Sequence, residues 1–154
     1  MAFEFRTCRR VAFAETDCAG IVHFSNYFRY MEEAEHAFLR SVSLSVEIRG
    51  EGGAIGFPRL SSSCEFLRPA RFEDLLDIHL WVSRKGRTSV SYTVVFSKDG
   101  VEIARGWTTA VACRVRPDGT FEPVPLPEPL SSRIEEAPYP PLIPRERGQG
   151  GGPG

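Results

Sequence analysis

The sequence predicts an α+β fold in which a curved antiparallel β-sheet wraps around one long α-helix. Three observations predict it: a strand-like alternation before residue 14, one amphipathic helical repeat after residue 25, and four strand-like runs joined by short turns after residue 59. A single helix with one broad apolar face cannot cover itself, whereas a curved sheet can close over it.

In the first run, Phe3, Phe5, Thr7, Arg9, Val11 and Phe13 alternate with mostly polar or small residues, the period of a strand. A small-residue turn, Asp17–Gly20, follows. Ser25 or Asn26 is then placed to cap a helix, along which Tyr27, Met31, Ala34, Phe38 and Val42 recur at helical spacing. That spacing predicts about four turns of ~3.6 residues each. The stretch RGEGGAIGFP, Arg49 to Pro58, reads as a glycine-rich loop. The strands expected next are Arg59–Leu67, Leu75–Arg84, Thr88–Ser97 and Val101–Arg116, rich in Val, Thr, Ile, Tyr and Trp. Arg68-Pro69-Ala70 breaks the first joint, Lys85-Gly86-Arg87 the second, and Lys98-Asp99-Gly100 forms a hairpin turn. Successive hairpins imply antiparallel pairing. Residues 1–122 form one domain on this reading. Residues 123–154, with PVPLPEPL, PYPPLIP and GQGGGPG, are expected to be an extended or disordered tail, a stretch of which could lie along the surface, since prolines cannot donate to a ladder.

Composition narrows the function. A chain of 154 residues with 42% hydrophobic and 25% charged residues has an ordinary globular balance, long enough for one core. The net charge of −1, with no basic run, argues against nucleic acid as partner. No run is long enough to span a bilayer and the N-terminus lacks a signal-peptide core, so a cytoplasmic enzyme or binding protein is expected. Cys8, Cys18, Cys64 and Cys113 are scattered, as are His23, His36 and His79, so no metal spacing emerges. Cys18 adjoins Asp17, whose charge would discourage a thiolate, so it is not read as a nucleophile. An open sheet edge would suit a dimer that continues the sheet.

The chemistry gathers around ETDCAGIVHFSNYF, Glu15 to Phe28. Asp17 sets one carboxylate before Cys18-Ala19-Gly20, a turn small enough for a ligand to approach the backbone, with Ile21 and Val22 as an apolar wall. The helix start that follows offers N–H groups without internal partners at the positive end of a dipole. A carboxylate facing a carbonyl, opposite N–H groups that polarise its oxygen, is a minimal acyl-transfer site. Spacing alone leaves the plainer alternative open, an Asp that merely braces an Asx-turn.

The segment ETDCAGIVHFSNYFRYME closely resembles the motif of the hot-dog-fold acyl-CoA thioesterases, in particular the 4-hydroxybenzoyl-CoA thioesterase-like family. The order strand, helix, four strands agrees with that fold, and FLRPARFEDLLDIHLWV, RTSVSYTVVF and EIARGWTTAVACRV look like its sheet strands, so the resemblance covers roughly residues 3–118. It implies hydrolysis of an acyl-CoA thioester, with Asp17 as nucleophile or general base. It also implies that the backbone N–H of Phe24 polarises the thioester carbonyl, that Gly20 permits close approach, and that Asn26 and Tyr27 fix the helix entry. Some branches carry His at the position of Phe24; here the imidazole is one residue earlier, at His23, and is either part of the pocket or a packed or surface ring. Another branch uses a helix glutamate, for which Glu32 and Glu33 are available. No cofactor is implied beyond the coenzyme A of the substrate, and the pocket is expected between subunits of a homodimer or homotetramer. Arg84, Lys85 and Arg87 cluster at one hairpin, where they would either hold the phosphates of coenzyme A or form a solvated tip. Arg59, Arg68 and Arg71 are lesser candidates. Two rival readings share the fold: a hydratase or dehydratase using His23 beside Asp17, and a non-catalytic acyl-CoA-binding module.

Overall fold

The computed structural model describes residues 1–50 and 52–142. Five strands form the main antiparallel sheet: β1 (Glu4–Arg10), β4 (Arg59–Phe66), β5 (Leu75–Lys85), β6 (Ser89–Lys98) and β7 (Val101–Val111). Their spatial order is β1-β5-β6-β7-β4, so β1 and β4 are the two edges. Leu76, Ile78, Leu80 and Val82 of β5 and Val90, Tyr92, Val94 and Phe96 of β6 join the core cluster, which sets every second residue of those strands toward the helix.

The helix α1 runs Phe24–Ser41, 18 residues, about a turn longer than its apolar spacing predicts. Asn26, Tyr27, Tyr30, Met31, Ala34, Glu35, Phe38 and Leu39 are its buried face. It also starts earlier than expected. The cap is His23 rather than Ser25 or Asn26, because the His23 Nδ1 itself accepts the Ser25 N–H at 3.3 Å. At the far end Leu44 N–H donates to Leu39 O (2.8 Å) and Ser43 N–H to Arg40 O (3.0 Å), with Ser43 at φ 58°, a Schellman-type stop. Helix and sheet approach closely at Gly106 of β7, where a Cβ would collide with the Met31 thioether.

Two segments differ from the sequence reading. The glycine-rich stretch 49–58 holds two short strands, β2 (Ile48–Gly50) and β3 (Gly53–Gly56), in a small sheet with β8 (Cys113–Val115) and β9 (Phe121–Pro123), ordered β2-β3-β8-β9. Periodicity misses them because three- and four-residue strands are shorter than any window that detects alternation. The expected tail, in turn, packs onto the domain over its described part. Leu126, Leu130 and Ile134 enter the core cluster around a short helix, α2 (Leu130–Arg133), and Ile134 bridges to Ala2. The Arg133 guanidinium donates to Val42 O (3.0 Å) and Ser43 O (2.9 Å), satisfying carbonyls beyond the end of α1. Proline cannot donate to a ladder, but it does not keep spaced apolar residues from docking. Residues 143–154 of the expected tail lie outside the described residues.

Candidate active site

β1 ends beside the start of β5, where the Val11 N–H donates to Asp74 O at 2.9 Å. A 3-10 turn, Phe13–Glu15, then redirects the chain toward α1. Between them lies the Asp17 loop, closed on itself: Asp17 N–H donates to Ile21 O (2.8 Å), Gly20 N–H to Asp17 O (2.9 Å), and Thr16 bridges Val22. Gly20, at φ 76°, occupies the left-handed region that glycine adopts without strain. Val22 N–H donates to Ala70 O at 2.8 Å, which ties the loop to the segment after β4.

Asp17 is half-buried and serves the turn with one oxygen. Its Oδ1 accepts the Ala19 N–H at 2.8 Å, with the Ile21 N–H at the 3.5 Å limit. Oδ2 has no hydrogen-bond partner among the described residues. Asp17 thus braces the turn with one oxygen and leaves the other without a hydrogen-bond partner among the described residues.

A groove of about 470 Å³ opens at this point, lined by Asp17, Ile21, Val22, Phe24, Tyr27, Phe66, Leu67, Arg68 and Pro69. The carboxylate thus shares one cavity with the first residue of α1, whose N–H has no acceptor among the described residues. The walls are aromatic. Phe24 and Phe66 meet edge to face with centroids 6.4 Å apart, Tyr27 lies 5.4 Å from Phe66, and both phenylalanines stay about half exposed. Burial pushes the Tyr27 phenol up to about 12, so it remains protonated.

His23 does not line this groove. Its imidazole is exposed, stacked at 4.6 Å on Phe24 and turned back to Ser25 Oγ at 2.8 Å, which makes it a capping residue. Glu33 lies on the helix flank in an ion pair with Arg9, and Glu32 is exposed beside a different cavity of about 190 Å³. Cys18 is exposed on the loop. Burial lifts the Cys64 thiol to about 12, far from a thiolate. Among the described residues no cluster of His, Cys, Asp and Glu has the makings of a metal site, and no helix is long and apolar enough to cross a membrane.

Arg84, Lys85 and Arg87 are not brought to the groove within one chain. They lie at the far end of β5, ten residues from Leu75, or roughly 33 Å at the rise of a strand. Lys85 is also occupied: its Nζ donates to Ile134 O at 3.0 Å and to Ser131 O, which staples the hairpin to α2. The cations at the groove are two of the lesser candidates instead. Arg68 is part of its wall, and the Arg71 guanidinium lies 3.7 Å from where a Gly20 Cβ would stand. Which cations lie near the groove within one chain depends on which strand ends meet, which charge spacing does not encode.

Residues 19–104 match the family described as the thioesterase superfamily. A putative esterase of Aquifex aeolicus is 36% identical over 108 residues, 70% of this chain and 82% of its own. A 1,4-dihydroxy-2-naphthoyl-CoA hydrolase of Synechococcus sp. is 31% identical over 111 residues, 68% of this chain and 72% of its own. Among solved structures, a gentisyl-coenzyme A thioesterase superposes with a TM-score of 0.70 at 28% identity, covering 82% of this chain and 99% of that one.

Proposed function

The chain belongs to the thioesterase superfamily, and we propose that it hydrolyses acyl-CoA thioesters to a free carboxylic acid and coenzyme A, with Asp17 as the reactive carboxylate. The observation that carries this reading is the shared groove, which holds a carboxylate with one oxygen unpartnered among the described residues and the first residue of an 18-residue helix, whose N–H has no acceptor among them. A thioester carbonyl bound there would place its carbon toward Asp17 and its oxygen toward Phe24 N–H, where the helix dipole favours negative charge. The geometry serves two routes. In one, Asp17 attacks the carbonyl carbon, the C–S bond breaks, the thiolate leaves and takes a proton from water, and a second water hydrolyses the mixed anhydride. In the other, Asp17 takes a proton from the water that attacks. Both build the same oxyanion.

Three features extend the reading. The exposed faces of Phe24 and Phe66 beside Tyr27 suit a flat aromatic acyl group, by offset or edge packing. Two of the relatives named above, the 1,4-dihydroxy-2-naphthoyl-CoA hydrolase and the gentisyl-coenzyme A thioesterase, carry hydroxylated aromatic acyl groups in their names. Arg68 on the groove wall, and Arg71 beside Gly20, would meet the phosphates of the leaving group. Finally, β4 is an edge strand with Leu60 at 72% exposure, so two chains pairing through β4 would continue the sheet and remove that edge. A thiol-release assay over aromatic and aliphatic acyl-CoAs tests the reading. Turnover greatest with hydroxybenzoyl-type thioesters is expected; binding without thiol release from any of them would contradict it.

A further inference from the structure

The face of the main sheet turned away from α1 carries both tryptophans of the chain, on one cross-strand row. Glu4 of β1 pairs with Trp81 of β5, Trp81 with Thr93 of β6, and Thr93 with Trp107 of β7. A sheet face exposed to water should leave such a row open, yet Trp81 is 6% exposed and Thr93 only 1%. What lies over it is the proline-rich segment Pro138–Leu142. Tyr139 packs edge-on against Trp81 (5.7 Å), His79 (6.1 Å) and Phe3 (5.9 Å), and its hydroxyl donates to Glu4 Oε2 at 2.9 Å. Three residues later the Trp107 Nε1 donates to Leu142 O at 3.0 Å.

The dimensions fit a strap. Tyr139 touches β5 and Leu142 touches β7, so the chain between them crosses β6, where Thr93 sits. Two inter-strand spacings amount to about 9.6 Å, and three residues of extended polyproline backbone cover about 9 Å. Pro140 and Pro141 hold that backbone extended without needing donors, and the aromatic row beneath is the kind of surface on which proline-rich segments dock.

We propose that Pro138–Leu142 is a built-in strap that occupies the outer face of the sheet and so prevents a second copy of the chain from packing on it. Uncovered, Trp81 and Trp107 would stand open on either side of Thr93, with Phe3 and His79 on the Tyr139 side of the row, an aromatic surface of the kind that drives association. Assembly would then be confined to the β4 edge, a clause that rests on the edge pairing given under the proposed function.

The two tryptophans report on this face alone, so one pair of measurements on the full chain decides. Acrylamide quenching of tryptophan emission and mass by sedimentation are compared between wild type and the full-length variant Tyr139→Ser, Pro140→Gly, Pro141→Gly. The expected result is a quenching constant that rises about twofold or more as the indoles meet solvent, with a mass that climbs to double the wild-type value at high protein concentration. A variant whose mass stays at the wild-type value overturns the proposal, even if quenching rises, and so does a wild type that already assembles as four chains. A wild type of one chain whose variant doubles in mass would refute the edge pairing and support the masking. Trp107→Phe removes only the indole donor to Leu142 O. It should shift Trp81 quenching and mass in the same direction by less, which keeps the question decidable if the triple variant does not fold.

Discussion

The side-chain amide of Asn26 donates to the main-chain carbonyl of Glu15 at 2.8 Å, the same oxygen that accepts the His23 N–H at 2.9 Å. Two residues on the helix side thus grip one atom on the strand side, and everything between them is the Asp17 loop. The Glu15 carboxylate holds the other flank, accepting the Ala12 N–H at 2.7 Å and a guanidinium nitrogen of Arg9. The Asp17 carboxylate and the helix N-terminus are therefore set relative to each other by a clamp that touches neither.

Asn26→Ala removes one arm of that clamp at a buried position. Losing a buried hydrogen bond costs about 1–3 kcal/mol, and loosening the approach of Asp17 to the carbonyl should appear in kcat rather than KM. A kcat lower by about tenfold with KM within twofold is expected from a modest misplacement of reacting groups. Steady-state kinetics at several temperatures, with circular dichroism to verify folding, provide the check.

Arg68→Gln with Arg71→Gln should act the other way. If these guanidinium groups meet the phosphates, removing both raises KM for acyl-CoA by about tenfold while leaving kcat near wild type, the pattern of lost uniform binding. The same assay with an acyl-pantetheine thioester, which lacks the nucleotide, should show no difference between variant and wild type. Equal KM for acyl-CoA in both proteins would place the phosphates elsewhere.

Glu35 and Arg59 predict a stability effect at some distance from the groove. The Glu35 side chain is 4% exposed and its Oε2 forms an ion pair with the Arg59 guanidinium. Burial raises the Glu35 carboxyl above the ordinary 4.5, and Arg59 only partly opposes that. Arg59→Met should leave a stranded buried carboxylate, costing about 3–5 kcal/mol, visible as a lowered Tm at pH 7. Because the folded pKa is raised, the carboxyl favours folding below the unfolded value and disfavours it as pH climbs through the folded one. The deficit of Arg59→Met should therefore shrink on acidification, and Glu35→Gln in the same background should restore Tm at neutral pH.

The strap carries its own pH dependence. The Tyr139 hydroxyl, and after it the His79 imidazole at 2.6 Å, hold the Glu4 carboxyl below the ordinary 4.5. A depressed carboxyl contributes above its unfolded pKa and loses that contribution as pH falls through the folded one. Tryptophan quenching in the wild type should rise as pH drops below 4.5, and Glu4→Gln should remove most of that dependence while raising quenching at neutral pH.

Much of this was legible in the residues. Alternation in β5, β6 and β7, the turn residues between them and the helical repeat of Tyr27, Met31, Ala34 and Phe38 all agree with the structure, because each element is long enough for its period to show. The resemblance around Asp17 located the groove. Part of what escaped notice is local, since β2 and β3 are too short to show a period and His23 caps α1 through Ser25, two residues on; the rest depends on contacts between segments distant in sequence. Lys85 is taken by carbonyls some fifty residues later. Leu126, Leu130 and Ile134 look like isolated apolar residues among prolines until α2 is folded back. The sheet ends that meet at Asp17 put Arg68 and Arg71 beside it, which neither charge runs nor spacing disclose.

The central claim is that the Asp17 carboxylate performs the chemistry in a groove that binds the substrate without it. Thiol release by wild type and Asp17→Asn, measured beside the acyl-CoA affinity of each, tests it most directly. The account predicts a kcat lower by about three orders of magnitude, roughly 4 kcal/mol of transition-state stabilisation, with an affinity within a few-fold of wild type. An Asp17→Asn protein that turns over at the wild-type rate would contradict it.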